Sequence, residues 1–447
     1  MRFPVYLGVV ALVLAGCGDG SAGLDDVDTQ VRDALAQANV TRLSRLPAND
    51  AALVRLGQAL MFDKILSGNR DVSCATCHNP RSATTDNLSL SIGTGGSGSA
   101  SARILGSARQ FNPRNSQELF NRGYPEFARM FWDGRVSSTG GQLETPAGAS
   151  LPPGLASSLA AQAMFPVTIR HEMRGQPGDL DRFGSPNELA ELSDDDMPAI
   201  WAGIMARVLA IPEYVAMFEA AYPGVPVAEL GFQHAANAIA AFTADAFTTV
   251  DSPLDRYLGG DASALGEAEK RGAILFFGNA KCGSCHLGPH LTDQLFHSIA
   301  VPQVGPGMTP NEPEDRGRER VTASAADRFQ FRTPPLRNVE LTGPWMHDGA
   351  YTTLEGAVRH YIDVELALRN YSTAQLREDL RATYLSDPTT LDAMAASIDS
   401  RVQAPLTLSD AEVADLVSFL RSLTDPAAAD LAGTIPAAVP SGLPVDD

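Results

Sequence analysis

Apolar residues recur at helical spacing in two similar segments of the chain. In the first, Leu56, Leu60 and Met61 fall on one side of a helix, and in the second the apolar run 274–276 follows the polar stretch 267–270. Each segment then continues through a turn containing glycine and asparagine into a short motif with two cysteines. The pattern predicts one helical module that is used twice.

A further helix is predicted near the end of the chain. Ser409 is a helix N-cap candidate, and Val413, Leu416, Val417 and Leu420 follow it on one face. Signals for β-strands are sparse, so the sequence predicts a mainly α fold with two similar modules in tandem.

The predicted organisation follows from these patterns and from 447 residues, a length that suggests two or three domains. The predicted parts are a signal peptide (1–16), a tether and N-terminal segment (17–50), a first module domain (51–250), a second module domain (262–426) and a disordered Pro/Ala-rich tail (427–447). The stretch 251–264 is the predicted linker between the two modules.

The N-terminus has the pattern of an export signal. Arg2 precedes the apolar stretch 3–16, which is too short to span a membrane, and Cys17 follows in "LAGC". That ending resembles a bacterial lipobox, which predicts cleavage before Cys17 and its lipidation, with the polar stretch 18–30 as a tether. The alternative is an ordinary signal with an incidental cysteine. Either version predicts export to an oxidising compartment, on the periplasmic side of a bacterial membrane.

The net charge of −19 limits the choice of partners. An acidic surface argues against nucleic acid and anionic lipid, and it permits attraction of a basic protein partner. Solubility alone also explains the charge.

The remaining cysteines form two CxxC pairs, each followed by histidine. The motif residues are Cys74, Cys77 and His78, and Cys282, Cys285 and His286. CxxCH is the attachment signal for a c-type haem, in which two thiols bond to the porphyrin and the histidine reaches the iron. A four-cysteine zinc site, two disulfides or two redox dithiols would leave both histidines unexplained. The sequence therefore predicts two covalently bound haems, with His78 and His286 as iron ligands.

The order of motifs over residues 50–425 resembles the bacterial di-haem cytochrome c peroxidase and MauG family. The motifs are CATCH, SIG (91–93), RNS (114–116), FWDGR (131–135), QAMFPVTIRHEM (162–173), CGSCH and the long stretch 331–361 that contains "PWMHDGAYTT". The resemblance implies two cytochrome c-like haem domains, of which the first is peroxidatic and the second stores electrons.

The resemblance also implies roles for residues of the first domain. It places the family's acid/base glutamate at Glu172, with a pocket glutamine at Gln162 and a pocket proline at Pro166. Trp132 matches the tryptophan that lies between the two haems. A carboxylate in the pocket suits peroxide cleavage, because one group must move a proton between the two peroxide oxygens.

A calcium ion between the domains is also implied. Its ligands would be the Asn115 side chain and the backbone carbonyls of Thr342 and Pro344. Oxygen ligands suit this hard cation.

Two positions depart from the peroxidase pattern. Thr94 follows SIG where many family peroxidases have a histidine that caps the first iron, so the first haem is predicted to be open at rest. A histidine from elsewhere is the alternative, and the candidates are His171, His290 and His297.

The second departure concerns the second haem. Tyr361 occupies the position of the methionine ligand, counted from His347, and MauG-like members use tyrosine there. The alternatives are His360, Met346 and Met308, and His347 itself is expected near the second haem.

The predicted function is therefore a peroxide-using di-haem oxidoreductase. Its electron source would be a small cytochrome or copper protein, or it would oxidise a protein substrate instead. The alternatives are a non-catalytic di-haem electron carrier and a docking lipoprotein with vestigial haem sites. An insertion between FWDGR and QAMFP, including 151–159, is expected to alter either the entrance to the first haem or a docking surface.

Overall fold

The computed structural model describes residues 21–309 and 312–445. The predicted signal peptide and Cys17 lie outside the described residues. The fold is mainly helical with short strands, which confirms the predicted class.

The α-helices are α1 (Ser21–Gln37), α2 (Ala51–Phe62), α3 (Cys74–Cys77), α4 (Ser158–Ala163), α5 (Met197–Leu209), α6 (Pro212–Ala221), α7 (Phe232–Ala246), α8 (Pro253–Leu258), α9 (Glu267–Phe277), α10 (Glu319–Thr322), α11 (Leu354–His360), α12 (Val364–Arg369), α13 (Glu378–Arg381), α14 (Pro388–Ala396) and α15 (Asp410–Arg421). The strands are β1 (Arg129–Met130), β2 (Val136–Thr139), β3 (Gln142–Glu144), β4 (Phe296–His297) and β5 (Phe331–Arg332). Strands β1, β2 and β3 form one antiparallel sheet, and β4 pairs antiparallel with β5.

One helix pair occurs twice. Helix α2 precedes the first cysteine motif and packs on α7, which follows that motif. In the same way, α9 precedes the second motif and packs on α15, which follows it. Each crossing depends on a glycine. A Cβ atom on Gly57 would lie 1.9 Å from the Ala238 carbonyl oxygen, and one on Gly272 would lie 2.0 Å from that of Asp415. The repeated close approach supports the predicted reuse of one module.

The predicted closing helix is confirmed as α15. The Ser409 side chain accepts from the Glu412 amide, and the Glu412 carboxylate accepts from the Ser409 amide, which forms a capping box. The predicted apolar face, from Val413 to Leu420, is buried.

Two large hydrophobic cores correspond to the two modules. The first contains α2 and α7, and the second contains α9 and α15. Leu254 and Tyr257 of α8 are buried in the second core. The predicted linker is therefore partly folded onto the second module.

Each end of the described chain packs against the more distant module. Val31 and Leu35 of α1 are buried in the second core, and Asp28 pairs with Lys270 at 2.8 Å. The expected polar tether is thus helical from residue 21, since a few apolar residues on one face anchor it.

The predicted disorder of the tail is wrong for its described part. Leu431, Val439 and Leu443 are buried in the first core, and the Ser441 hydroxyl donates to Asp63 at 2.6 Å. The composition suggested disorder, but apolar side chains spaced along this segment pack into the first core.

Among the described residues, no single helix is long and apolar enough to cross a membrane. Helices α5 and α6 reach that length and composition only together, and they meet at 106°. Their buried side chains, such as Ile204 and Phe218, belong to the first core.

Candidate di-haem site

The first CxxCH motif lines a cavity of about 760 Å³. Cys74, Cys77 and His78 all contribute to its wall. The Nδ1 atom of His78 lies 3.2 Å from the Thr84 carbonyl oxygen, to which it donates, so Nε2 remains available for a metal. This is the arrangement that a proximal haem ligand requires.

A short π-helix supplies a carboxylate and an imidazole to the same cavity. It spans Arg170–Arg174, and both His171 and Glu172 line the cavity. The SIG loop packs tightly against it, because a Cβ atom on Gly93 would lie 2.1 Å from the His171 carbonyl oxygen. Single π-helical turns are frequent at functional sites because they redirect side chains within a helical segment.

Burial controls the protonation of both side chains. It raises the pKa of the Glu172 carboxyl, although the guanidinium groups of Arg135 and Arg114 oppose the rise. Burial, with the positive charge of Arg135 added, lowers the pKa of His171 to about 4. The cavity thus holds a carboxyl group that is easily protonated beside a neutral imidazole.

Gln162 and Pro166 line the same cavity from another segment. Gln162 lies on α4, and Pro166 begins a 3-10 turn. Trp201 fixes this segment, because its indole Nε1 donates to the Met164 carbonyl at 2.8 Å. All the residues that the resemblance implied for the first pocket therefore meet in one place.

Residues 144–146 of the insertion also line the first cavity. The insertion is expected to alter either the entrance to the first haem or a docking surface. Its position in the wall of the first cavity agrees with the first of these effects.

Thr94 points away from the first cavity. Its hydroxyl donates to Asp71 at 2.8 Å, and its amide donates to the Glu172 carbonyl at 2.9 Å. It lines a smaller cavity that also touches His171. Gln110 Nε2 lies 3.1 Å from His171 Nδ1. Thr94 thus positions the π-helix through its backbone.

The other two histidine candidates for the first iron lie elsewhere. His290 is buried between Tyr124 and Phe127, with ring centroids 4.9 and 4.6 Å apart. His297 lines the second cavity. These two alternatives are therefore excluded by position, and His171 is the one candidate histidine that reaches the first cavity.

The second CxxCH motif lines a separate cavity. Cys282, Cys285 and His286 contribute to its wall, and His286 Nδ1 donates to the Leu291 carbonyl at 2.9 Å. The cysteines of the two motifs are free thiols in different cavities. That separation excludes a shared four-cysteine zinc site.

Tyr361 lines the second cavity, and burial raises the pKa of its phenol. His360 does not line it. Its Nδ1 accepts from the Tyr351 hydroxyl at 2.8 Å and its Nε2 donates to the Ile299 carbonyl at 2.7 Å, so both ring nitrogens are occupied. Met308 lines the first cavity instead, while Met346 lines the second. Position and hydrogen bonding thus remove His360 and Met308 as alternatives.

His297 is a charged group in the second cavity whose role the sequence did not indicate. Burial opposes its protonation, but hydrogen bonds to Asp293 at 2.9 Å, to Cys285 and to Asp399 at 2.7 Å outweigh it and raise the pKa of His297 to about 10. Asp293 is four residues away, but Asp399 is brought in by the fold.

Aromatic rings fill the space between the cavities. Trp132 lines both cavities, and its indole Nε1 donates to the Asn115 carbonyl at 3.0 Å. The His347 ring lies 6.5 Å from Trp132 and stacks on Phe331 at 3.5 Å between centroids. His347 lines the second cavity, as expected. The fold therefore offers a continuous aromatic contact from one cavity to the other.

The three predicted calcium ligands border one cavity. Asn115, Thr342 and Pro344 all line the second cavity. The Asn115 amide nitrogen donates to the Leu88 carbonyl at 2.8 Å, which leaves its side-chain oxygen for another partner.

A buried ion network that sequence reasoning missed joins the two modules. Arg114 donates to Asp133 at 2.7 Å and to Asp315 at 2.5 Å, and all three side chains are buried. Arg114 and Asp133 belong to quoted motifs, but Asp315 has no local signal. The guanidinium stabilises both carboxylates, and this network borders the first cavity.

The residues present fit two covalently attached haems. Each cavity has two thiols at its wall, an imidazole whose Nδ1 atom is held by a carbonyl, and a largely apolar lining. A haem attached at either motif would have its iron bound by His78 or His286.

Comparisons with known proteins indicate the family of this chain. Residues 51–263 match a family model described as "Di-haem cytochrome c peroxidase". The chain is 31% identical over 309 residues to methylamine utilization protein MauG of Methylorubrum extorquens, covering 69% of this chain and 68% of that protein. It is 32% identical over 322 residues to cytochrome c551 peroxidase of Pseudomonas aeruginosa, covering 71% and 74%.

Solved structures have the same fold. A MauG-like protein associated with microbial copper homeostasis is 27% identical, with a TM-score of 0.59, and covers 88% of this chain and 95% of its own. The di-haem peroxidase BthA of Burkholderia thailandensis is 23% identical, with a TM-score of 0.58, and covers 91% and 95%. From its motifs, its two CxxCH cavities and these relatives, the chain belongs to the di-haem cytochrome c peroxidase family.

Proposed function

We propose that the protein is a di-haem peroxidase that consumes hydrogen peroxide in the first cavity. The observation that carries this proposal is the half-buried Glu172 carboxyl in the same cavity as the His78 imidazole. A protein that only carries electrons has no use for a proton-transfer group there. The non-catalytic carrier is therefore the less favoured function.

His78 would hold the first haem and His286 the second, each through Nε2. When bound, the haem supplies an iron centre at which peroxide is bound and reduced. The remaining chemistry falls to the side chains of the cavity.

Glu172 would accept a proton from the peroxide oxygen that becomes bound and deliver it to the leaving oxygen, which departs as water. Burial favours this role because it brings the carboxyl pKa closer to neutral pH. Gln162 offers an amide that can hydrogen-bond peroxide, and Pro166 presents a rigid apolar wall without a backbone donor. The Arg135 guanidinium stabilises the carboxylate form between proton transfers.

Electrons would reach the first cavity from the second through Trp132. Support comes from its position in the wall of both cavities and from its contact with His347. Tyr361 would be the second ligand of the second haem, which favours the oxidised form of the iron, as in MauG-like members.

We further propose a calcium ion bound by the Asn115 side-chain oxygen and the Thr342 and Pro344 carbonyls. This assignment is supported by the preference of calcium for oxygen ligands, which all three groups offer. Asn115→Ala would then lower the calcium content of the purified protein, measured by atomic emission. Unchanged calcium content would contradict the assignment.

The location and partners follow from the export signal. We propose a periplasmic protein anchored through lipidated Cys17, with a small cytochrome or copper protein as electron donor or a protein side chain as substrate. Mass spectrometry of the mature N-terminus tests the anchor, because an unmodified terminus upstream or downstream of Cys17 would contradict it.

Electron paramagnetic resonance tests the proposed function. The diferric holoprotein is measured at low temperature before and just after one equivalent of hydrogen peroxide. A resting high-spin signal beside a low-spin one, both lost after peroxide, is expected of an open first haem and of oxidation shared with the second. Two low-spin signals that peroxide leaves unchanged would contradict the open first haem, and the protein would then be either a peroxidase that requires prior reduction or an electron carrier.

A further inference from the structure

A second set of aromatic rings leads away from the second cavity. The Tyr361 ring lies 5.6 Å from His360, which lies 5.3 Å from Tyr351. Tyr351 lies 5.7 Å from Tyr371, and Tyr371 lies 5.2 Å from Tyr384. All four separations fall within the range of aromatic contact. We call these five residues the tyrosine chain.

Hydrogen bonds fix the inner part of the tyrosine chain. The His360 Nε2–H donates to the Ile299 carbonyl at 2.7 Å, which fixes the tautomer and leaves a lone pair on Nδ1. The Tyr351 hydroxyl donates to this lone pair at 2.8 Å. The Tyr351 hydroxyl is therefore held beside an imidazole acceptor where the tyrosine chain approaches the second cavity.

The chain passes from the interior to the surface. Tyr351 is 8% exposed, whereas Tyr371 and Tyr384 are partly exposed. The Tyr384 hydroxyl has only a long contact, 3.5 Å to the Leu368 carbonyl. Solvent can therefore take the proton of Tyr384 when its ring is oxidised.

We propose that the tyrosine chain is a second oxidation route, through which neutral phenolic donors are oxidised at Tyr384 by one electron each. The proposal rests on the proposed function, because hydrogen peroxide is its oxidant. Tyr351 and Tyr384 are the oxidised rings. Tyr371 is the aromatic contact between them, and His360 connects Tyr351 to Tyr361.

The overall reaction balances. Two phenols each lose one electron and one proton and become phenoxyl radicals, while one hydrogen peroxide takes up two electrons and two protons and becomes two waters. Each electron enters at Tyr384 and travels inward, and the phenolic protons pass to solvent. The strongly acidic net charge of −19 disfavours anionic donors at this surface, which is why the donor is assigned as a neutral phenol.

The experiment uses the full-length holoprotein, hydrogen peroxide and a nitroso spin trap, without an electron donor. Trypsin separates the chain conveniently, since Tyr351, Tyr361, Tyr371 and Tyr384 fall on the different peptides 338–359, 360–369, 370–377 and 382–401. The variants are Tyr351→Phe and Tyr384→Phe, with Tyr222→Phe as a control in the first module. Absorption spectra establish that each variant carries both haems.

The trapped radical is expected on peptide 382–401 of the unmodified protein and of the Tyr222→Phe variant. Tyr351→Phe is expected to lower that adduct at least about tenfold, which corresponds to about 1.4 kcal/mol in the barrier to transfer. Guaiacol, a neutral phenol, should compete with the trap, and its oxidation should fall by a similar factor in Tyr384→Phe. Peroxide consumption with a cytochrome donor should remain unchanged in both variants.

A wild-type protein that consumes peroxide without an adduct on 382–401 would overturn the tyrosine chain alone. An adduct of unchanged yield in Tyr351→Phe would do the same. A holoprotein that consumes no peroxide would overturn both the tyrosine chain and the proposed function.

Discussion

The first and second haem cavities are alike on the side of the CxxCH histidine and differ on the opposite side. Each has a helix pair that crosses at a glycine, a CxxCH motif and a histidine whose Nδ1 is held by a backbone carbonyl. The first cavity then receives Glu172 and His171 from a π-helix. The second receives Tyr361 and the cationic His297.

This difference shows that the residues that attach a haem are not those that determine its chemistry. The repeated half binds a haem, and the CxxCH motif that attaches the haem is a short contiguous stretch. The half that differs decides whether the cavity moves protons or stores electrons, and it comes from segments that are far apart in the chain.

The largest expected effect comes from removing the proton-transfer group of the first cavity. Glu172→Gln should slow peroxide consumption by about 10²–10⁴-fold, because the amide cannot move the proton. Stopped-flow mixing with hydrogen peroxide measures the rate. Glu144→Gln, a carboxyl at the exposed edge of the same cavity, is the matched control and should retain the rate. Equal rates in Glu172→Gln and the unmodified protein would remove the functional distinction between the cavities.

The second cavity can be made to resemble that of the methionine-ligated peroxidases. Tyr361→Met should raise the reduction potential of one haem by on the order of 0.1 V, since axial ligands cover a range of about 0.8 V. Potentiometric titration followed by absorption measures both haems. Met346→Leu tests the remaining alternative ligand, and a shift in that variant rather than in Tyr361→Met would reassign the ligand.

The connection between the cavities depends on Trp132. Trp132→Phe should slow electron transfer between the haems by about tenfold, equivalent to about 1.4 kcal/mol in the barrier. Flash reduction followed by re-equilibration of the two haems measures the rate. Trp345→Phe is the control, because Trp345 lines the second cavity alone. The same slowing in both variants would argue against a specific relay through Trp132.

The raised pKa of Glu172 gives a smaller effect, on the pH dependence of peroxide consumption. Because burial raises the pKa of Glu172, the carboxylate needed to accept a proton is present only above that raised value. Peroxide consumption should therefore increase with pH, with a midpoint above the ordinary glutamate value of about 4.3. The rate measured from pH 4 to 8 gives the midpoint. A midpoint that persists in Glu172→Gln would assign it to another group.

The last expected effect concerns stability rather than chemistry. Leu443→Ala should destabilise the first module and Leu35→Ala the second, each by about 2–5 kcal/mol, because these leucines from the chain ends are buried in those cores. Thermal unfolding monitored at each haem distinguishes the modules. Leu366→Ala, an exposed position, is the control. Equal destabilisation of both modules by either variant would show that they unfold as one unit.

The sequence by itself determined the proximal half of each site. The spacing of CxxCH fixes two thiols and an imidazole within one turn, and the apolar stripes before Cys74 and after Ser409 fix the helices around them. These features are local, so they can be seen in a contiguous stretch of residues. The family resemblance added Glu172, Trp132 and Tyr361 to the candidate set.

Only the tertiary structure decided which candidates reach a cavity. His360 stands beside the expected ligand position, but hydrogen bonds to Ile299 and Tyr351 hold it outside the second cavity. His290 is held between two aromatic rings, and the tail that composition assigned to disorder is packed on the first core. Each of these outcomes depends on contacts between residues far apart in the chain, for which a local pattern carries no signal.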